Sequence, residues 1–245
     1  MTGGTGRMGR QVVSALEAQG VRAVSLSRRT GFDLVEGTGA QLAGKLEGCA
    51  VVVDCSEVGR GAENLRRAAV RLRQAAQAAG VQRLVVVSIV GVDRPGLARI
   101  AYYRGKLVQE RTLAAGALPV CVVRSTQWYE FADMIYVAAP LGRLGRIGLA
   151  PRMACQPVAG RFVADRLVRA ALAEAPAPSV EVAGPQVVTT GELIRRVNAA
   201  RGTRARICAV PVPGVPGFSD GSLLPGPDAE LDTLTVEEWA GSSPG

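Results

Sequence analysis

The chain contains no histidine. That excludes His-ligated metal sites and every Ser-His-Asp or Cys-His catalytic arrangement. Lysine is almost missing too. Lys45 and Lys106 are the only two in 245 residues, so nearly all of the formal net charge of +8 is carried by arginine. Aromatic residues make up 4% and are not interleaved with the arginines, and no run of like charge is longer than Arg28-Arg29 or Arg66-Arg67. A nucleic-acid surface needs clustered basic groups and stacking rings, so no nucleic-acid partner is expected. The five cysteines (Cys49, Cys55, Cys121, Cys155, Cys208) are an odd number without a CxxC pair. They read as small buried hydrophobes, and no metal site is expected. No apolar run is long enough to span a bilayer and no signal peptide is visible, so the expectation is a soluble cytoplasmic protein without a membrane partner.

Hydrophobic residues are plentiful, at 48%, enough for a core of Val, Ala and Leu in one large or two small domains. Richness in Arg, Ala, Gly and Val with little Lys, Ile and Asn has the look of GC-rich coding DNA, which accounts for most of the basic charge. A phosphorylated cofactor would suit the same charge.

The first nine residues organise the rest. In Thr2-Gly3-Gly4-Thr5-Gly6-Arg7-Met8-Gly9, three glycines stand three apart, and an amphipathic helical pattern over 7–19 starts at once. Such a stretch wraps a dinucleotide pyrophosphate. One glycine makes a tight turn, one lets the backbone approach the phosphates, one lets the helix pack close, and the helix N-terminus offers N–H groups to the anion. A structural glycine turn is the alternative. Downstream, apolar runs at 21–26, 50–54, 84–89 and 118–123 alternate with helical patterns at 39–47, 61–79 and 99–115. Continuous apolar strands between helices predict an α/β fold, a Rossmann-like doubly wound parallel sheet covered on both faces. Residues 127–139 read as helical, followed by a Gly- and Pro-rich stretch over 140–160. Further helices are expected at 162–174 and 191–201, with short strands at 180–182 and 207–212. The predicted organisation is an NAD(P)-binding body over 1–125, a small C-terminal substrate lobe over 126–212, and a loosely ordered tail over 213–245 with one helical turn at 236–239.

Three further places carry chemistry. Ser27, Arg28 and Arg29 close the second apolar run, where an acidic residue would accept from a ribose 2′-OH. Arginine instead suits a 2′-phosphate, so NADP(H) is expected in preference to NAD(H). One of the two arginines is equally readable as solvated. Tyr102 and Lys106 are four apart on a helical pattern and share a face. A cation beside the phenol would lower its pKa and make Tyr102 a general acid, with Ser88 at the end of the fourth strand bonding the same substrate oxygen. Simple packing of the tyrosine is the competing reading. Arg124 and Thr126, after the fifth strand, and then Trp128, Tyr129 and Phe131 are candidates for a substrate pocket. Core packing is the alternative for the aromatic residues.

Taken together, TGGTGRMG (2–9), LSRR (26–29), DL (33–34), GCAVVVDCS (48–56), AAGVQRLVVVSIVGVDR (78–94), YYRGKLVQERTL (102–113) and LPVCVVRSTQWYEF (118–131) resemble the atypical short-chain dehydrogenase/reductases of the NmrA-like group, which are abundant in actinobacteria. The likeness continues through QPV (156–158) and FVADRLVRAAL (162–172) to about residue 212. It implies that Gly3, Thr5, Gly6, Arg7, Met8 and Gly9 hold the pyrophosphate and that Arg28 and Arg29 meet the 2′-phosphate. It also implies that Asp33 and Leu34 border the adenine, that Ser56 lies along the cofactor, and that Lys106 reaches the nicotinamide ribose. Members reduce small-molecule quinones, carbonyls or activated double bonds, or bind the cofactor as sensors without turnover. A sugar-nucleotide epimerase shares the fold and the YxxxK spacing and ranks below both.

The sequence departs from that pattern in three places. No apolar strand precedes TGG, which points to a start assigned too far downstream or to a fragment. The missing strand is expected between the second strand and the fourth, so its loss opens the centre of the sheet. Residues 158–162 read VAGRF where relatives carry a more polar, acidic turn. The tail after 213 is short and irregular.

Overall fold

A computed structural model describes residues 1–58, 61–135, 137–140, 146–203 and 206–242. Its centre is a parallel sheet in the order β1-β2-β3-β7-β10, formed by Val51–Asp54, Arg83–Ile89, Val120–Ser125, Ser179–Ala183 and Glu230–Leu231. Parallel strands need crossovers, and helices supply them: α1 (Arg7–Glu17), α2 (Gly39–Leu46), α3 (Ala62–Ala78), α4 (Ala101–Ala114) and α5 (Gly160–Leu172). The strands bury both faces. Val53, Val85, Val87 and Val123 meet Met8, Val12 and Leu16 of α1 and Val163 and Leu167 of α5. On the other face Val52, Leu84 and Val86 meet Leu42 and Leu46 of α2, Leu72 of α3 and Leu113 of α4. The doubly wound α/β architecture is therefore as the alternating pattern predicts.

The start of the chain differs from the expectation. Thr2 bridges in parallel to Leu26 on one side and Asp54 on the other. The Met1 amino group donates to Val24 O at 2.9 Å, Leu26 N to Met1 O at 2.8 Å, and Thr2 N to Val53 O at 3.0 Å. Two residues thus hold the first-strand position, and they lie between the 21–26 run and β1, not beside 84–89. The 21–26 run reaches strand pairing at Leu26, and Val24 is 38% exposed. Its described pairing is with Met1 and Thr2, through Val24 O and Leu26 N.

The chain beyond 125 is shared between this body and a smaller lobe. β7, β10 and α5 return to the main sheet. The lobe holds a three-stranded sheet of β4 (Val137–Pro140), β5 (Arg146–Pro151) and β9 (Arg206–Val210). It also holds the pair β6 (Ala154–Cys155) and β8 (Val188–Thr189), and α6 (Thr190–Ala200). Where 127–139 reads as a helix, the structure has a 3-10 turn over Tyr129–Asp133 and then β4. Within the Gly- and Pro-rich stretch, residues 141–145 lie outside the described residues.

The tail, read from its composition as loose, is packed. Leu223, Val236 and Trp239 are buried in the lobe's core, and α7 (Val236–Ser242) replaces the single helical turn expected there. The Trp239 ring lies 5.4 Å from that of Tyr129, and the Arg201 guanidinium sits 5.2 Å from the Trp239 centroid. Residues 243–245, at the end of that tail, lie outside the described residues.

Candidate functional site

A cleft of about 780 Å³ opens at the carboxyl ends of the first strands, where open α/β sheets bind ligands. Its floor is the glycine loop. Gly3 has φ +71°, and a Cβ there would lie 2.5 Å from Cys55 O. A Cβ on Gly9 would lie 2.1 Å from Gly3 O, so α1 can approach the loop only through glycine. Gly6 is the N-cap of α1, with no side-chain cap and no acidic residue in the first turn. The first-turn N–H groups and the positive end of the helix dipole therefore meet the cleft uncompensated. Gly3, Thr5, Gly6, Arg7 and Met8 line the cleft, while Gly9 stands behind them as the packing contact.

The end of the 21–26 run forms the next wall. Ser27 caps a 3-10 turn over Arg28–Thr30, and Thr5 Oγ1 donates to Ser27 Oγ at 2.9 Å, which ties this turn to the glycine loop. Arg28 and Arg29 line the cleft and are exposed. Among the described residues neither makes an ion pair. Asp33 and Leu34 line the same end. The Asp33 carboxylate is occupied by its own turn, accepting from Val35 N at 2.7 Å and Glu36 N at 3.2 Å.

On the opposite wall Ser56 and Ser88 line the cleft, and each hydroxyl is buried without a hydrogen-bond partner. Orphaned buried hydroxyls are costly unless a ligand completes them. Lys106 is also buried and lines the cleft. Its ammonium donates to Val87 O at 3.0 Å and to Gln109 Oε1 at 2.9 Å, leaving one N–H uncommitted. The residues present therefore fit a dinucleotide: an anion cradle, two free guanidinium groups and a row of unsatisfied donors.

The Tyr102 geometry corrects the sequence reading. The shared helix face does not bring the phenol to the ammonium as a hydrogen-bonded pair. Tyr102, which lines the cleft and is 49% exposed, donates its Oη proton instead to Glu57 Oε1 at 3.0 Å. Desolvation first, and then the Glu57 carboxylate, push the phenol's pKa above its ordinary value of 10.0, not below it.

Residues 3–132 match a family model described as NAD(P)H-binding. The chain belongs to the NAD(P)H-binding family. No curated protein matches it by sequence. Among solved structures, an Escherichia coli NADPH-dependent quinone oxidoreductase complexed with NADPH is similar at 17% identity, covering 98% of this chain and 97% of its own, with a TM-score of 0.72. A Bacillus cereus UDP-N-acetylglucosamine 4-epimerase is similar at 15% identity, covering 98% and 93%, with a TM-score of 0.69. An Agrobacterium tumefaciens short-chain dehydrogenase/reductase superfamily protein with bound NAD is similar at 17% identity, covering 98% and 93%, with a TM-score of 0.68. At these identities the likeness establishes the Rossmann-like fold alone.

In this NAD(P)H-binding protein two predicted pocket residues lie elsewhere. Arg124 is drawn off by carboxylates: its guanidinium donates to Glu110 Oε1 at 3.1 Å, Glu110 Oε2 at 2.8 Å and Asp93 Oδ2 at 3.0 Å. Tyr129 is a core residue, 1% exposed, whose hydroxyl donates to Leu234 O at 2.6 Å. Thr126 and Trp128 do line the cleft.

Phe131, read with Trp128 as a possible wall of an apolar pocket, lines the cleft as well, whereas sequence reasoning missed Gln127, Glu130 and Met134 beside them, and Glu57. It also missed Asp54 and Gln109, both buried. A sequence signal existed for the last two. Asp54 breaks a valine strand, and Gln109 stands three residues from Lys106 on one helix face.

Proposed function

We propose that this protein is an NADPH-dependent reductase of the NmrA-like type that passes a hydride to a small quinone, carbonyl or enone. The bound cofactor would supply the hydride. Arg28 and Arg29, exposed and without ion-pair partners, favour the 2′-phosphorylated form. The chain's own part is to hold the substrate oxygen. The observation that carries the proposal is the unpartnered Ser88 hydroxyl in the same cleft as the uncommitted N–H of Lys106, which together offer two donors to an oxygen that gains charge. Trp128, Phe131 and Met134 offer an apolar wall for a flat ring.

Within that substrate range a quinone fits best. Reduction of a ketone leaves an alkoxide that needs a proton from the protein, and the Tyr102 proton is committed to Glu57. A reduced quinone leaves a stabilised hydroquinone anion that takes its proton from water. Tyr102 serves as the acid only for substrates whose oxygen displaces Glu57. The same Tyr102–Glu57 bond supports the second reading, a cofactor-binding sensor without turnover. The purified protein incubated with NADPH and a panel of quinones and ketones separates the two. Quinone-dependent loss of NADPH absorbance is expected. Saturable cofactor binding with no turnover on any acceptor would overturn the reductase reading in favour of the sensor.

A further inference from the structure

Beneath the cleft three buried side chains form one chain of hydrogen bonds. Asp54, at the end of β1, is 1% exposed; Gln109 and Lys106, on α4, are 2% and 4% exposed. Gln109 Nε2 donates to Asp54 Oδ2 at 2.8 Å, and Lys106 Nζ donates to Gln109 Oε1 at 2.9 Å. The carboxamide orientation is settled by its neighbours. Reversing it would set two acceptors together at Asp54 and two donors together at Lys106. The other oxygen of Asp54 reaches the opposite way, accepting from Thr2 Oγ1 at 2.7 Å and from Ser56 N at 3.0 Å. Asp54 thus touches the strand that leads into the glycine loop, the turn that carries Ser56 and, through one amide, the ammonium on the far wall.

Among the described residues no cation touches the Asp54 carboxylate directly; its hydrogen-bond donors are a hydroxyl, a backbone N–H and an amide. Nor, among the described residues, does a carboxylate touch Lys106, whose two acceptors are neutral. Two buried opposite charges are therefore coupled through a polarised amide. In a low-dielectric interior such a network holds its members in one geometry, because each broken link leaves a buried group unpaired.

We infer that Asp54 and Gln109 are positioning residues: they hold the Lys106 ammonium with one N–H turned to the cleft and couple it to the glycine loop. The inference rests on the proposed cofactor site, but it makes a separate claim about the unliganded protein.

The near absence of lysine makes the test direct. In protein labelled with ¹⁵N-lysine, only Lys45 and Lys106 contribute side-chain ammonium signals, and a Lys45→Arg variant assigns them. Lys106, buried and doubly bonded, is expected to show a slowly exchanging ammonium resonance. In Gln109→Leu, and separately in Asp54→Asn, that resonance is expected to move and its protons to exchange at least about tenfold faster. NADPH affinity, titrated by fluorescence, falls by about tenfold or more in both. If Asp54→Asn does not fold, Gln109→Leu carries the test alone. An unchanged Lys106 signal and exchange rate in a folded Gln109→Leu protein would overturn the inference. Altered exchange in a protein that binds no NADPH would instead leave the network standing and remove the cofactor reading.

Discussion

The hydroxyl of Tyr102 donates to the carboxylate of Glu57 at 3.0 Å, across 45 residues of sequence. This bond divides the labour of the cleft. Ser88 and Lys106 remain free to meet a ligand, while Tyr102 is held by Glu57.

Ser88→Ala is expected to lower quinone kcat/KM by about tenfold to a hundredfold, since it deletes one donor to the developing charge. Tyr102→Phe is expected to change it less than about threefold, because the phenol proton is not the one delivered. Steady-state NADPH oxidation by the two variants checks both. A larger loss in Tyr102→Phe than in Ser88→Ala would return the acid role to the tyrosine.

Arg28→Ala and Arg29→Ala are each expected to weaken NADPH binding by about tenfold while leaving NADH binding within about twofold. A guanidinium–phosphate contact is worth the first and irrelevant to the second. Parallel titrations with the two cofactors are the measurement. Equal weakening of both would show that the arginines do not read a 2′-phosphate.

Stability is expected to fall as pH rises from about 9 to 12. Burial pushes the Cys55 and Cys155 thiols from 9.0 up to about 12, and the Tyr103 phenol from 10.0 up to about 12. In that window the unfolded chain has lost these protons and the folded one keeps them, so each rise in pH favours unfolding; below about 9 the contribution is complete. Thermal melts from pH 7 to 11 measure the slope, and Cys155→Ala, which removes one titrating group, is expected to flatten it. A melting temperature that rises across this window would contradict the burial of these groups.

Trp239→Ala is expected to cost about 3 kcal/mol, because it removes the ring packed on Tyr129 and under Arg201. Chemical denaturation reads the loss. A cost below about 1 kcal/mol would mean that the tail is not part of the core.

Much of the fold is legible in the sequence because hydrophobic periodicity marks elements that are buried on known faces. Val52 and Val53 point to opposite helix layers, and the run 50–54 could only be a strand covered on both sides. The glycine loop is legible for a similar reason: positive φ and close backbone approach permit only one residue type. What was not legible depends on partners far away in sequence. The run 21–26 carries the composition of a strand, but among the described residues it pairs through Met1 and Thr2 at its end alone. Spacing places Tyr102 and Lys106 on one face of α4, yet spacing cannot say that Glu57 claims the phenol or that Gln109 claims the ammonium. Arg124 reads as a pocket residue until Glu110 and Asp93 are seen to take its guanidinium. The tail looks loose by composition, but Tyr129 binds Leu234 O across 105 residues.

On the reading proposed above, the glycine loop under this cleft holds a nicotinamide dinucleotide. An equilibrium titration of the wild-type protein and of Gly9→Ala with NADPH, followed by the change in cofactor fluorescence, decides this. Saturable wild-type binding is expected, with a Kd of about 1–100 μM. Gly9→Ala, whose methyl would fall 2.1 Å from Gly3 O, is expected to stay folded and lose binding at least tenfold. No saturable binding to the wild type, or equal binding to a folded Gly9→Ala protein, would contradict it.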